Sequence, residues 1–318
     1  MRVFLLILLL SGSAPLHGES LKPVLLQFDW IFNAQFAGVY QAIERGYFAE
    51  EGFEVMVREA PASSGVIEAV TQSSLPSFGT SESNVLLSAR SQGTPVVALP
   101  PMFQKSPMGW MALKSSGIDS IDDFADKRVG VHVDGEKVLA LALARAGLDL
   151  DSVETAKVGY DPAILIAGKV DLMQAYVIDE FIALQKMTGG EATIHLAGDL
   201  GYLAYSQVLF TTENTAENYP DIVLGMVTAL RRGWEYALNH PDATVELILE
   251  KWNPELDPEY QLASLKAMES LLRPPGKDLM PWPSAEAWDQ RQQNFLEFGF
   301  LKQPVDLEKF VFQPAKSE

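Results

Sequence analysis

There is no cysteine anywhere in the 318-residue chain. That absence removes disulfides, thiolate metal sites, cysteine nucleophiles and lipid attachment through a thiol. Histidine is scarce, at four residues. Beyond the N-terminal segment only His132, His195 and His240 remain, too widely spaced to form a paired-histidine metal motif. Positive charge is also in deficit: 24 Lys and Arg against 42 Asp and Glu leave a formal net charge of −18. Nucleic-acid backbones and anionic membrane surfaces both call for basic patches, so this balance argues against them and favours a small uncharged or cationic ligand. No P-loop, dinucleotide fingerprint or G-x-S-x-G elbow occurs. Neither a metal nor a cofactor is expected, and no catalytic residue is assigned.

Long apolar runs are missing too, apart from the N-terminus. There the chain reads MRVFLLILLLSGSAPLHGES: Arg2, an apolar stretch from Val3 to Leu10, then small residues that offer cleavage near Ser13, Ala14 or Gly18. The stretch is far shorter than the roughly 20 residues a spanning helix needs, which favours a cleaved signal peptide over residues 1–18. The expectation is a soluble periplasmic protein with no direct membrane insertion after cleavage. A mature chain of about 300 residues buries enough core to dispense with disulfides.

What is present is alternation. Val24–Phe28 reads as a strand, Phe36–Arg45 as a helix stopped by Gly46, and Val55–Arg58 as a second strand. Ser64–Gln72 (helix), Ser77–Gly79 (strand), Ser83–Ser91 (helix) and Val96–Leu99 (strand) continue the series. A second series runs through Gly109–Lys114, Arg128–Val131, the helix Glu136–Ala146, Val153–Val158 and Val170–Tyr176, and Ser206–Thr211 is a further strand. Strands alternating with helices predict α/β lobes built on parallel sheet. Thereafter the pattern is helical, with Pro220, Pro241, Pro258 and Pro283 near helix starts. The chain is expected to form lobe one from residues 19–104 and 205–318, and lobe two from 105–204. It would cross near Pro100–Pro107 and return near Gly201–Gln207, making a hinge of two crossings, with the last third packed on lobe one. Loops at the carboxyl ends of the strands would then face an interlobe cleft.

Five segments in order, "FDWIFNAQFAG", "RGYFAEEGFEV", "FQKSPMGWMALKSSGI", "KRVGV" and "LIAGKVDLMQAYVIDE", together resemble the NMT1/THI5-like (SsuA/THI5-like) branch of the type II periplasmic binding proteins. The resemblance implies a type II fold, two α/β lobes closing on a small ligand. It implies delivery to the permease and ATPase subunits of an ABC importer, by a protein that acts as a monomer. Members handle thiamine-precursor pyrimidines of the hydroxymethyl- or aminomethyl-pyrimidine type, riboflavin or alkyl sulfonates. Two alternatives follow from the same resemblance: a pyrimidine synthase of thiamine biosynthesis, and a sensing module acting with a signalling partner. Pyrimidine-handling members carry D-W-x-P-N-x-x-H-x-G, which this chain matches at Asp29, Trp30, Asn33 and Gly38 and leaves at Phe32 and Phe36. Family synthases carry a cysteine-rich iron motif that this chain lacks.

Each candidate ligand residue has a structural rival role. Trp30 follows a strand and could stack on a heteroaromatic ring or fill the core. Asn33 could read an aminopyrimidine edge or cap a turn. Tyr176 and Glu180, four apart after a strand, would share a face if helical. Tyr176 would then add an aromatic wall, and Glu180 would accept from an exocyclic amine or merely complement a helix dipole. Ser63, Ser64 and Gly65 stand at a helix start able to hold an anion or simply to cap. Thr80 and Ser81 could line the cleft or lead into the next helix. The acidic group Asp119, Asp122, Asp123 and Asp126 reads as a solvated short helix.

Overall fold

The computed structural model describes residues 20–61, 65–133 and 135–314. The expected signal peptide, and Ser63 and Ser64, lie outside the described residues. Ten strands occur among those described: β1 (Lys22–Gln27), β2 (Phe53–Arg58), β3 (Ser77–Ser81), β4 (Val96–Phe103), β5 (Met108–Leu113), β6 (Arg128–Val131), β7 (Glu154–Lys157), β8 (Leu172–Tyr176), β9 (Ala192–Leu196) and β10 (Ser206–Thr212). They form two five-stranded sheets, ordered β2-β1-β3-β10-β4 and β7-β6-β8-β5-β9. The chain passes from the first sheet to the second between β4 and β5 and returns between β9 and β10.

Both sheets are mixed, which corrects the expectation of parallel sheet. β1, β2 and β3 run parallel, as do β6, β7 and β8, but β10 is antiparallel to β3 and β4, and β5 is antiparallel to β8 and β9. The cause is the double crossing. A strand that returns from the other lobe enters its sheet from the opposite end to those joined by crossover helices. A second correction concerns Pro100 and Pro101, read as the start of the crossing. They lie inside β4, which is buried along its whole length and continues to Phe103. β4 is an edge strand, and the two prolines fall where its register against β10 slips by one residue, between Ala98 and Pro101, so the N–H groups they lack are missing from a bulge rather than from a regular ladder.

Helices cover the sheets. Three begin with proline at the first helical position, Pro220–Asn239, Pro241–Lys251 and Pro258–Leu272, as the sequence predicts. Pro220–Asn239 packs on Ala37–Glu44 so closely that the two helices meet at glycines. A Cβ at Gly233 would lie 2.0 Å from the Gly38 carbonyl oxygen, and one at Gly38 would lie 2.4 Å from the Trp234 ring. Around them the core gathers Phe28, Phe36, Tyr40 and Trp234, all fully buried.

The last third does not pack on lobe one alone. In the helix Ala285–Glu297, Trp288 sits edge-on to Tyr205, and Arg291 stacks over the same ring at 3.4 Å. Asn294 bonds the backbone of Gly201 and Leu203, and Glu297 pairs with Arg145 of lobe two at 2.7 Å. This helix straps the return crossing to the second lobe, and its Trp288 and Phe295 join one core cluster with Ala98 of the first sheet and Trp110 of the second. The acidic group is the solvated turn expected: a 3-10 helix, Ile121–Phe124, capped by Ser120, whose hydroxyl and N–H both bond the Asp123 carboxylate.

Candidate functional site: an acidic, aromatic-walled cleft

A cavity of about 280 Å³ lies between the two sheets. Its walls come mostly from the carboxyl ends of parallel strands. Asp29 and Trp30 follow β1, Glu82 follows β3, His132 follows β6, Tyr160 lies beyond β7, and Tyr176, Asp179 and Glu180 close or follow β8. This is the position that open α/β sheets give their ligands. A larger groove, between the helices Ser83–Ser91 and Glu136–Arg145, is open to solvent and lacks convergent polar groups of this kind.

The aromatic walls stand on opposite lobes. Trp30 is 38% exposed and meets Tyr160 of lobe two edge-to-face, with ring centroids 6.1 Å apart. Tyr160 in turn packs edge-on against His132 at 4.6 Å. The ring facing Trp30 is therefore Tyr160, with Tyr176 on the cavity wall nearby. Tyr160 was missed in the sequence although "VGYDP" follows a strand just as "FDW" does.

Four carboxylates line the cavity, Asp29, Glu82, Asp179 and Glu180, and among the described residues no Lys or Arg does. Glu180 opens the helix Glu180–Thr188, is 7% exposed, and accepts the Tyr176 N–H at 2.7 Å. The helix N-terminus stabilises its charge. Asp29 accepts from the Thr80 hydroxyl at 2.8 Å, and from Gln207 Nε2 through both oxygens, at 2.9 and 3.0 Å. Burial pushes the Asp29 carboxyl above its ordinary value, against the pull of those bonds. Asp179 is raised for the same reason and accepts from the Tyr260 hydroxyl on lobe one. That bond, with Lys186 to Asp257 at 3.0 Å and the Ser264 hydroxyl to the Ile178 carbonyl at 2.6 Å, joins the lobes beside the cavity.

Raised carboxyls set the direction of a pH effect. Asp179 binds its proton more tightly folded than unfolded, so its contribution to stability is full below the ordinary carboxyl range and is lost as pH rises through the raised value. Asp179→Asn removes that loss. The variant's melting temperature, relative to that of the natural chain, is expected to climb between about pH 4 and neutrality. A constant difference across that range would show that the Asp179 carboxyl titrates normally.

The other sequence candidates divide. Thr80 is fully buried and serves Asp29, also accepting its N–H at 3.2 Å. Ser81 is buried at the end of β3. Asn33 does not line the cavity. Its side chain caps the 3-10 helix Ala34–Phe36 by accepting the Gln35 N–H at 2.9 Å, and Gln35 takes the wall position. Gly65 caps the helix Val66–Thr71 and is likewise not in the lining. Phe36, where the family pattern has histidine, is fully buried and stacks on Phe28 at 3.7 Å.

Gln207 brings an unpartnered polar atom to the cavity wall. Gln207 Oε1 is buried and has no hydrogen-bond partner, although leaving such an acceptor unmade costs about 1–3 kcal/mol. Gln207 also has a φ of +49°, in the left-handed region that side chains other than glycine seldom adopt.

Two α/β lobes, joined by two crossings around a cleft lined from both sides, define a periplasmic-binding-protein fold. The chain belongs to the NMT1/THI5-like family, whose model matches residues 33–244. Among characterised relatives, it is 28% identical to the riboflavin-binding protein RibY of Chloroflexus aurantiacus, over 94% of this chain and 87% of that one. It is 28% identical to a 4-amino-5-hydroxymethyl-2-methylpyrimidine phosphate synthase of Legionella pneumophila, over 76% and 78%. A formylaminopyrimidine-binding protein of Halalkalibacterium halodurans is 26% identical, over 90% and 88%. The fold is similar to that of the periplasmic aliphatic sulphonate binding protein SsuA of Escherichia coli, with a TM-score of 0.73, 17% identity and 94% coverage of both chains.

Proposed function

We propose that this protein is a periplasmic solute-binding component of an ABC importer, and that it captures a small heteroaromatic nutrient of the thiamine-precursor pyrimidine class. The observation that carries the reading is the cleft itself: an indole and a phenol that meet from opposite lobes at the wall of a cavity lined by four carboxylates and, among the described residues, by no Lys or Arg. Flat rings stack on such walls, and carboxylates accept from ring amines and protonated ring nitrogens. The same electrostatics oppose a sulfonate, because an anion entering this cavity meets like charge in a low-dielectric site. A volume just below the usual range for drug-sized ligands suits a single ring better than the three fused rings of a flavin. The names of the formylaminopyrimidine-binding and riboflavin-binding relatives support a heteroaromatic ligand.

Catalysis is the second reading, favoured by likeness to the Legionella synthase. Against it stand the lack of cysteine and the burial of Phe36 in the core, where the family pattern puts a histidine. Delivery to a permease requires capture and release alone.

Calorimetric titration with an aminopyrimidine, riboflavin and an alkanesulfonate tests the reading. The aminopyrimidine is expected to bind and the sulfonate is not. Trp30→Ala should weaken each flat ligand that binds by about 1–3 kcal/mol, the usual scale of stacking on an aromatic side chain. Binding of the sulfonate alone would overturn the assignment.

A further inference from the structure

Gln207 lines the cleft from an unexpected side. β10 runs antiparallel to β3, with Val208 paired to Ser81, so the amino end of β10 lies level with the carboxyl end of β3. Three independent features converge on this residue. Its backbone is held in the left-handed region, at φ +49°. Beside it β4 carries an extra residue between Ala98 and Pro101, opposite the next step of β10 from Val208 to Phe210, and such bulges are common next to binding sites. Its Nε2 is committed to both oxygens of Asp29, while its Oε1 is buried without a partner. The amide cannot turn over, because that would set its oxygen against the carboxylate. Backbone strain of this kind persists where the surroundings over-determine it, characteristically at ligand clamps.

We infer that Gln207 is a ligand-reading residue, whose side-chain carbonyl accepts a hydrogen bond from an N–H of the bound ring, with Asp29 as the positioning residue that fixes its orientation. The inference rests on the heteroaromatic reading above and adds a specific requirement. The ligand must present an amine or ring N–H towards β10, in addition to any donor it offers Glu180 on the other lobe. A ring with donors on two edges would then be held by both lobes at once, and one with a single donor edge by one lobe only.

The test compares 4-amino-5-hydroxymethyl-2-methylpyrimidine with its analogue carrying methyl in place of the amine, titrated into the full chain. Two variants are used. Gln207→Met keeps the length and removes the amide. Gln207→Asn keeps an amide in a residue that tolerates positive φ, and withdraws the carbonyl by one methylene. In the natural chain the amine should bind more tightly than the methyl analogue. Both variants should reduce the affinity for the amine by about tenfold or more and change that for the analogue by less than about threefold. Asp29→Asn, which lets the Gln207 amide turn over, should shrink the same preference while thermal unfolding stays cooperative. Equal losses for both compounds would assign Gln207 a purely structural role and overturn the inference, leaving the ligand class intact. Failure of the natural chain to bind either pyrimidine would overturn the ligand class, and the inference with it.

Discussion

Replacing Glu180 with glutamine is expected to weaken a ligand with an amidine-like donor edge by about 1–2 kcal/mol, or roughly tenfold in affinity, and to leave a ligand without that edge nearly unaffected. The estimate is the difference between a charge-assisted hydrogen bond and a neutral one. Geometry keeps the substitution clean. Glutamine retains an oxygen to accept the Tyr176 N–H, so the turn from β8 into the helix Glu180–Thr188 stays closed. Only the charge is lost, and with it a few tenths of a kcal/mol of helix-dipole stabilisation. Titration calorimetry with an aminopyrimidine checks it. If affinity is unchanged, Glu180 is a helix-start carboxylate and nothing more.

The second large effect is on stability. Gly233→Ala should destabilise the protein by about 3 kcal/mol, at the upper end of what overpacking costs. The new methyl would stand 2.0 Å from the Gly38 carbonyl oxygen and 3.0 Å from Ala42, all of it backbone or short side chain with nowhere to retreat. In an exposed helix the same change would stabilise by up to about 1 kcal/mol through helix propensity. The sign of the result therefore reports on packing. A urea midpoint equal to that of the natural chain would mean that the helices Ala37–Glu44 and Pro220–Asn239 are free to separate.

Sequence made the alternation of the fold readable because strands buried on both faces are written as continuous apolar runs. β1 and β6 are of this kind. It hid β9, whose short "ATIHL" follows two glycines and has only one fully buried residue. It ended β4 too early, because two prolines look like a break until the strand is known to be an edge.

The site followed the same logic. Trp30, Tyr176 and Glu180 each end or follow a strand and line the cavity, and the same rule, applied evenly, also reaches His132 and Tyr160. It cannot reach Gln207, which comes at the start of a strand, since nothing local in "YSQVLF" says that β10 runs backwards. Strand direction is a property of the whole connection. Sequence leaves two roles open to Asn33, and in the structure its side chain accepts from a donor two residues away and caps the turn.

The order of the strands has a mechanical consequence. β4 leaves the first sheet beside β10, which re-enters it, and β5 enters the second sheet beside β9, which departs. The outgoing and returning ribbons therefore run side by side at both ends, like two leaves of one door hinge. A pair of parallel struts resists shear and twist between the bodies it joins and yields to bending across the pair. Of the motions of one lobe relative to the other, bending across the pair is the one these two crossings oppose least. Capture and release then share a single coordinate, which small-angle scattering would register as one change in radius of gyration on ligand binding.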